Sequence, residues 1–216
     1  MNHYGALGLC DFLRSYPRML VKPISNDELN IEGRFDFTAL SEKHGTITDH
    51  YQLRILVPPL FPRELPVVYE IQGRIPRNEQ YHVNPNGSLC LGSRLRVLWK
   101  LGQKPTIVGF AENCLVPFLF AISHKHIHGG AFPFGELAHG PPGELIDYVE
   151  LFRLKTSEQA KMTLRYLGMK KRRANKLPCP CGCIRRLGAC HFNRRVKQFR
   201  QFAERSWFRL VSHSIN

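Results

Sequence analysis

The alternation of apolar and polar positions predicts three β-strands in the first third of the chain. Tyr51, Leu53, Ile55 and Val57 alternate with polar neighbours, and Leu56 is the one interruption of this half-buried strand pattern. The three strand-like runs cover residues 29–40, 45–58 and 65–75. Because the segments between these runs are short, the strands are expected to form an antiparallel meander.

Helices are predicted on both sides of these strands. A short helix is expected over residues 6–16, a buried helix over residues 106–123 and a further helix over residues 143–154. Thr156-Ser157-Glu158-Gln159 has the pattern of a capping box, which predicts a helix from there to about residue 173. Apolar positions at helical spacing continue between residues 194 and 212, with arginine and lysine between them. The sequence therefore predicts an α+β protein with a first domain of residues 1–154 and a helical tail of residues 155–216.

Charge separates these two parts. The 216-residue chain has 31 lysine and arginine residues against 17 aspartate and glutamate residues, a formal net charge of +14. Residues 151–216 contain 17 of the basic and 2 of the acidic residues, a charge of +15, whereas residues 1–150 sum to −1. An acidic partner would therefore meet the tail first. Contact with nucleic-acid phosphates, contact with an acidic protein and a merely solubilising surface all remain open.

The beginning of the chain and its cysteine content predict a cytoplasmic location. Residues 1–10 lack the basic start and apolar core of a secretory signal. The longest apolar run, residues 114–122, is too short to span a bilayer, so no membrane association is expected. Seven cysteines without an export signal indicate a reducing compartment, where cysteines act as thiols, metal ligands or nucleophiles before they form disulfides.

Cys90 is the strongest candidate for chemistry. The turn-forming segment Asn84-Pro85-Asn86-Gly87 precedes it, which predicts a loop position and not the middle of a strand. A loop cysteine on a rigid scaffold can act as a nucleophile, whereas a cysteine in apolar surroundings is usually inert. The residues alone leave a structural loop cysteine as the alternative.

The segment Asn86-Gly87-Ser88-Leu89-Cys90-Leu91 resembles the active-site segment of ubiquitin-conjugating enzymes, whose cysteine carries a thioester. Further elements of that family are similar to three parts of this chain: Pro59-Leu60-Phe61-Pro62, Pro66-Val67-Val68-Tyr69-Glu70 and Trp99. The resemblance covers residues 5–152 and implies a fold with an N-terminal helix, an antiparallel four-stranded meander, an active-site loop and C-terminal helices. It points to the divergent bacterial members, because His82 stands where the eukaryotic enzymes have asparagine.

The resemblance also implies an enzymatic function. Cys90 would hold the activated C-terminal carboxyl of a ubiquitin-like protein, or of the tail of a cyclic-nucleotide synthase, and pass it to a lysine amine of a target protein. His82 would donate a hydrogen bond to the oxyanion, and Glu136 or His139 would supply a base for the incoming amine. Loop packing is the alternative for these three residues. Bacterial members of this kind are associated with antiphage defence operons. The alternative function is a non-catalytic binding module of the same fold with a zinc-stabilised tail that binds protein or nucleic acid.

Cys179, Cys181, Cys190 and His191 form a second candidate site, the zinc knuckle of residues 179–191. Four such ligands within thirteen residues suit a closed, tetrahedral zinc site of structural type. The pattern resembles the SEC-C metal-binding motif, named from the end of the bacterial preprotein translocase ATPase. Cys183 is a spare thiol that could replace Cys181. Because so small a unit has little core, zinc would supply much of its folding free energy. Scattered structural thiols are the alternative.

His124, His126 and His128 alternate in a segment before a loop rich in glycine, histidine and proline. Alternating histidines can bind a metal, but the sequence shows no fourth ligand near them. A solvated loop is therefore the favoured interpretation.

Overall fold

A computed structural model describes residues 5, 7–23, 28–135 and 140–215. The chain divides into two compact units, Met1–Glu136 and Leu137–Asn216. The α+β class is confirmed. The division lies earlier in the chain than the boundary expected after residue 154, because the helix that ends at Phe152 packs within the second unit. The Phe152 and Phe199 rings there meet edge to face at a centroid distance of 4.9 Å.

The predicted antiparallel four-stranded meander is confirmed in the first unit. Its strands are β1 (Met19–Val21), β2 (Leu29–Ser41), β3 (Gly45–Val57) and β4 (Val67–Glu70). They pair in chain order, and every pair is antiparallel. β2 and β3 form a long hairpin whose register runs from Leu29 opposite Val57 to Ser41 opposite Gly45.

The apolar positions of the two long strands face the core, as the period of two predicts. Ile31 and Phe35 of β2 are fully buried, and so are Leu53 and Ile55 of β3. A short helix, α1 (Leu9–Ser15), precedes the sheet. The chain just after α1 adds Tyr16, whose ring stacks on that of Phe35 at a centroid distance of 4.1 Å. Aromatic contacts of this kind contribute about 0.5–1.5 kcal/mol beyond the burial of their area.

Two helices follow the sheet: α2 (Arg94–Leu101) and α3 (Ile107–His128). Thr106 caps α3, because its Oγ1 accepts the N–H of Gly109 at 3.0 Å. The turn Ala111–Leu115 is π-helical and ends just before Pro117. A proline inside a helix lacks the N–H and crowds the preceding turn, so a wide turn at this place relieves the crowding.

Helix α3 is also the one helix among the described residues that is long and apolar enough to cross a membrane by length and composition. Its most apolar window has a mean hydropathy of 1.5, and 61% of that window is buried inside the protein. Phe110, Leu115, Leu119 and Ile122 of this helix belong to the core. α3 is therefore the core helix of the first unit.

The second unit is helical: α4 (Gly140–Phe152), α5 (Ser157–Leu167), α6 (Lys171–Ala174), α7 (Phe192–Phe199) and α8 (Arg205–Ser214). Thr156 caps α5 as predicted, since its Oγ1 accepts the N–H of Gln159 at 3.3 Å. The Gln159 side chain in turn accepts the N–H of Lys155 at 2.9 Å. The tail helix expected around residues 194–212 is two helices, with a break at residues 200–204.

Helix α5 was predicted to continue to about residue 173, but it ends at Leu167. The Arg200 guanidinium donates hydrogen bonds of 2.6, 2.9 and 3.0 Å to the carbonyls of Tyr166, Leu167 and Met169. These bonds occupy acceptors that a longer helix would have paired internally. Gly168 follows, and a Cβ there would lie 2.8 Å from Cγ of Arg209. Burial lowers the pKa of Arg200. A half-buried basic residue of the tail thus holds the end of α5.

Candidate functional site

Cys90 lies at the end of a narrow hairpin that begins at His82. The Cys90 N–H donates to the carbonyl of His82 at 2.7 Å, and the Asn84 N–H donates to the carbonyl of Ser88 at 2.8 Å. The Leu89 N–H reaches the Val68 carbonyl of β4 at 2.8 Å, which attaches the hairpin to the sheet. The structure therefore brings the backbones of two predicted catalytic residues, Cys90 and His82, together.

The turn formers of the sequence close the tip of this hairpin. Asn86 Oδ1 accepts both the N–H and the hydroxyl of Ser88, at 3.1 and 2.7 Å. The Asn84 side chain donates to the same hydroxyl at 3.0 Å. Gly87 has a φ of 83°, a left-handed conformation that glycine adopts without strain. The outer side of the tip borders an open cavity of 280 Å³ lined by residues 77–79 and 83–87.

The Cys90 side chain is half-buried, so its thiol sits between solvent and the core. The other cysteines of the first unit differ from it. Cys10 is exposed, whereas Cys114 is buried and burial raises the pKa of its thiol to about 11. After Cys90 the chain turns at Gly92, and Ser93 then caps α2 by accepting the N–H of Arg96 at 3.3 Å.

His82 is held from two sides. It ends a short 3₁₀ turn (Glu79–Tyr81) and has the left-handed φ and ψ of 53° and 46°. Its ring lies 5.1 Å from the ring of Phe132. Lys125 of α3 joins these parts, because its ammonium lies 4.2 Å from the Phe132 ring centroid and donates to the Gln80 carbonyl at 3.1 Å. Lys125 was not among the predicted site residues, because a lysine in an apolar helix carries no motif.

Glu136 and His139, the predicted bases, lie outside the described residues. The site is therefore built from the hairpin, His82 and the residues that hold them.

A polar network ties the segment before the hairpin to the sheet and to α3. The Arg74 guanidinium donates two hydrogen bonds to the Asp49 carboxylate, at 2.7 and 2.8 Å. The Ser123 hydroxyl donates to the same carboxylate at 2.7 Å. The buried Tyr51 hydroxyl meets Ser123 at 2.8 Å. Burial acts to raise the pKa of Asp49, but the bonds from Arg74, Ser123 and the His50 N–H outweigh it and lower that pKa. No sequence motif marks this network.

We expect Arg74→Met to lower the free energy of unfolding at pH 7 by about 1–2 kcal/mol, the range of a partly exposed hydrogen bond to a charged group. A carboxylate with a depressed pKa contributes stability above the unfolded pKa, about 3.9, and loses it as the pH falls through the folded pKa. The difference between wild type and variant should therefore narrow below about pH 4. Urea unfolding of wild type and variant at pH 7 and below about pH 4 measures this difference in the free energy of unfolding.

Arg54→Met is the matched control, since it removes the exposed 2.8 Å ion pair with Glu32 on the sheet. That change should cost less than about 1 kcal/mol. If both variants lose the same free energy of unfolding, the Arg74 network stabilises the fold no more than an exposed ion pair does.

The three alternating histidines lie on the last turns of α3. The prediction of a solvated loop at this place was therefore wrong. The helix continues because no breaker occurs before Gly129, whose φ is 68°. His124 and His128 are one turn apart, with ring centroids 4.5 Å apart, and the His44 ring approaches His124 at 4.9 Å. Burial, His128 and His44 lower the pKa of His124. Among the described residues these histidines do not form a group that could hold a metal.

The group that could hold a metal ion consists of Cys179, Cys181, Cys183 and Cys190. All four sulfurs lie within 4.8 Å of one another. The sulfur pairs Cys179–Cys181, Cys181–Cys190 and Cys183–Cys190 are 3.3, 3.7 and 3.6 Å apart. A tetrahedron with Zn–S bonds of about 2.3 Å has edges of about 3.8 Å, so the cluster has the size of a closed four-thiolate site.

The backbone supplies a donor to the cluster, because the Phe192 N–H donates to the Cys190 sulfur at 3.5 Å. A bond of this kind favours the thiolate, the form that binds metals. Burial raises the pKa of Cys179 and of Cys181, whereas hydrogen bonding with the Arg185 backbone lowers the pKa of Cys183 to about 7.

His191 is not in the cluster, which corrects the expected Cys₃His ligand set. It is exposed and lies at the N-terminal end of α7, with Nδ1 3.8 Å from the Cys190 sulfur. Cys183 takes the fourth place, together with the predicted Cys181 and not instead of it. The turn at Gly182, with a φ of 82°, brings Cys183 back toward Cys179. The extra thiol after Cys-Pro-Cys-Gly was the available signal.

Comparison with known proteins finds no match among protein-family models, curated proteins or solved structures.

Proposed function

We propose that Cys90 is the nucleophile of an acyl transferase that resembles ubiquitin-conjugating enzymes. The element order supports this proposal: a helix, an antiparallel four-stranded meander, a cysteine-bearing loop and then helices. The observation that carries it is the hairpin of residues 82–90, which pairs the Cys90 N–H with the His82 carbonyl at 2.7 Å and leaves the thiol half-buried. A rigid loop fixes the nucleophile, and partial exposure lets an acyl donor reach it.

The proposed reaction has two steps. The Cys90 thiolate attacks the carbonyl of an activated protein C-terminus, and the leaving group of the donor departs as the Cys90 thioester forms. A lysine amine then attacks that thioester, loses a proton and displaces the Cys90 thiolate, which leaves an isopeptide bond. Both steps pass through a tetrahedral oxyanion, and the proposed role of His82 is to donate a hydrogen bond to it.

A peptide whose C-terminal glycine carries a mercaptoethanesulfonate thioester tests this proposal without an activating enzyme. We expect wild type to exchange the small thiol for Cys90 and to accelerate amide formation on added lysine over the uncatalysed rate. His82→Ala should load normally but transfer to lysine about 10²–10³-fold more slowly, the cost of one lost oxyanion donor. Product formation is followed by liquid chromatography.

Phe132→Leu separates donation from loop packing, because it removes the ring against which His82 lies but keeps the imidazole. A loss in Phe132→Leu as large as that in His82→Ala would assign His82 a packing role. No thioester with wild type would favour a non-catalytic binding module.

We also propose that the four-cysteine cluster holds one structural zinc ion. A site with four protein ligands has no open position for a substrate, and thiolates select zinc over magnesium or calcium. The four sulfurs, which all lie within 4.8 Å of one another, support a set of thiolates that can surround one metal ion. The role of zinc when bound would be to hold residues 179–190 together. Metal analysis of protein purified under reducing conditions should find about one zinc per chain.

A further inference from the structure

The chain around the cysteine cluster forms two antiparallel arms, residues 175–179 and 185–188, which we call the cysteine hairpin. The Leu187 N–H donates to the Leu177 carbonyl at 2.8 Å, and the Cys179 N–H donates to the Arg185 carbonyl at 3.0 Å. Pro178 lies directly opposite Arg186 in this pairing. Backbone hydrogen bonds thus hold the two arms together beside the cysteine cluster.

Three cations stand exposed on these arms. Arg186 lies opposite Pro178 in this pairing, and Lys176 lies in the turn at the start of the first arm. Lys176, Arg185 and Arg186 are exposed. Among the described residues, no carboxylate forms an ion pair with any of the three. The hairpin therefore presents exposed positive charge that no carboxylate in the described part of the chain pairs with.

The surroundings of the hairpin add to this charge. Residues 137–216 contain 17 lysine and arginine residues against 5 aspartate and glutamate residues, a formal net charge of +12. The exposed run Lys170–Arg173 leads directly into the first arm. The exposed apolar side chain of the hairpin is Ile184, at its tip. The surface is thus strongly basic with one apolar contact at its end.

We propose that the cysteine hairpin binds the phosphodiester backbone of a single-stranded nucleic acid. Guanidinium groups donate paired hydrogen bonds to phosphate oxygens, and a backbone of regularly spaced phosphates can contact several exposed cations at once. A specific protein partner would need a desolvated apolar centre, and a membrane would need a broad apolar face, whereas this hairpin offers Ile184. Ile184 can instead pack on a sugar or a base.

The test uses the full chain with its metal and a fluorescein-labelled RNA of mixed sequence, about 20 nucleotides long, in fluorescence anisotropy at several salt concentrations. We expect K176Q/R185Q/R186Q to weaken binding about 100-fold at 0.1 M salt. Each lost phosphate contact to a single strand removes about 0.7 from the slope of log K against log salt, so three contacts remove about 2. K176R/R185K/R186K keeps the charges and should restore most of the slope.

The matched control is K22Q/K43Q/R63Q, which removes three exposed cations from the first unit and gives the same net charge. It should change the affinity less than about threefold, because its charges lie outside the hairpin. Zinc content and circular dichroism establish that both triple variants are folded. Equal losses in the two variants would overturn the proposal, as would the absence of RNA binding. Tighter binding of wild type to phosphatidylserine vesicles or polyglutamate would overturn it as well. The test is independent of Cys90.

Discussion

Cys183→Ser is expected to lower the zinc content well below one per chain and to unfold the cysteine hairpin. A neutral serine hydroxyl is a poor replacement for a thiolate, so three ligands and an open position remain. Structural zinc contributes about 10–16 kcal/mol in small zinc-binding peptides, which exceeds what the few buried side chains of this segment can supply. Hydrogen exchange should rise in residues 175–190. The Cys179 and Leu187 amides, which donate across the arms, report it directly.

His191→Ala is the control for this experiment, because His191 is adjacent to Cys190 but lies outside the cluster. It should keep about one zinc and normal hydrogen exchange. Zinc loss in His191→Ala together with zinc retention in Cys183→Ser would show that the bound form uses the Cys₃His set. Treatment of wild type with a chelator should reproduce the effect of Cys183→Ser, since both remove the metal.

Cys90→Ala is expected to abolish transfer of the donor peptide to lysine, leaving the uncatalysed rate. The alanine variant keeps the hairpin of residues 82–90, because the hydrogen bond from residue 90 to the His82 carbonyl uses the backbone N–H. The loss is therefore chemical: no side chain remains that can hold the acyl group as a thioester. Time courses with wild type and variant at equal concentration measure it.

Cys10→Ala is the matched control, because Cys10 is the exposed cysteine of the first unit. If exposure alone determined which cysteine reacts with a thioester, Cys10 would be the reactive one. It should transfer as fast as wild type. Cys114 needs no separate variant for this purpose, since it is buried and its thiol has a pKa of about 11. A transfer rate that follows Cys10 and not Cys90 would remove the basis for the proposed active site.

The long hairpin of the sheet was predictable from the sequence almost to the residue. β2 was expected over residues 29–40 and β3 over residues 45–58, and both agree within one residue, because apolar and polar positions alternate along most of each strand. The pattern did not indicate β1, which has three residues. Its pairing depends on Gly33, where a Cβ would lie 2.2 Å from the Arg18 carbonyl oxygen. β4 was expected over residues 65–75 and is shorter, because the Glu70 side chain accepts the N–H of Gln72 and turns the chain.

The candidate sites were predictable to different degrees. The loop position of Cys90 followed from local turn chemistry, which asparagine and glycine carry in the sequence itself. The fourth member of the cysteine cluster did not follow from the sequence, because Cys183 and His191 are both close in sequence and the direction of the backbone decides between them. The end of α5 depends on Arg200, which is distant in sequence. Such tertiary contacts override local propensity.

Intact-protein mass spectrometry after incubation with the donor thioester tests the role of Cys90 most directly. Wild type should gain the mass of one acyl group and lose it when dithiothreitol is added. Cys90→Ser should gain the same mass as an oxygen ester that dithiothreitol leaves in place, and Cys90→Ala should gain none. An unmodified wild type, or an equal adduct on Cys90→Ala, would contradict the proposal that Cys90 carries the acyl group.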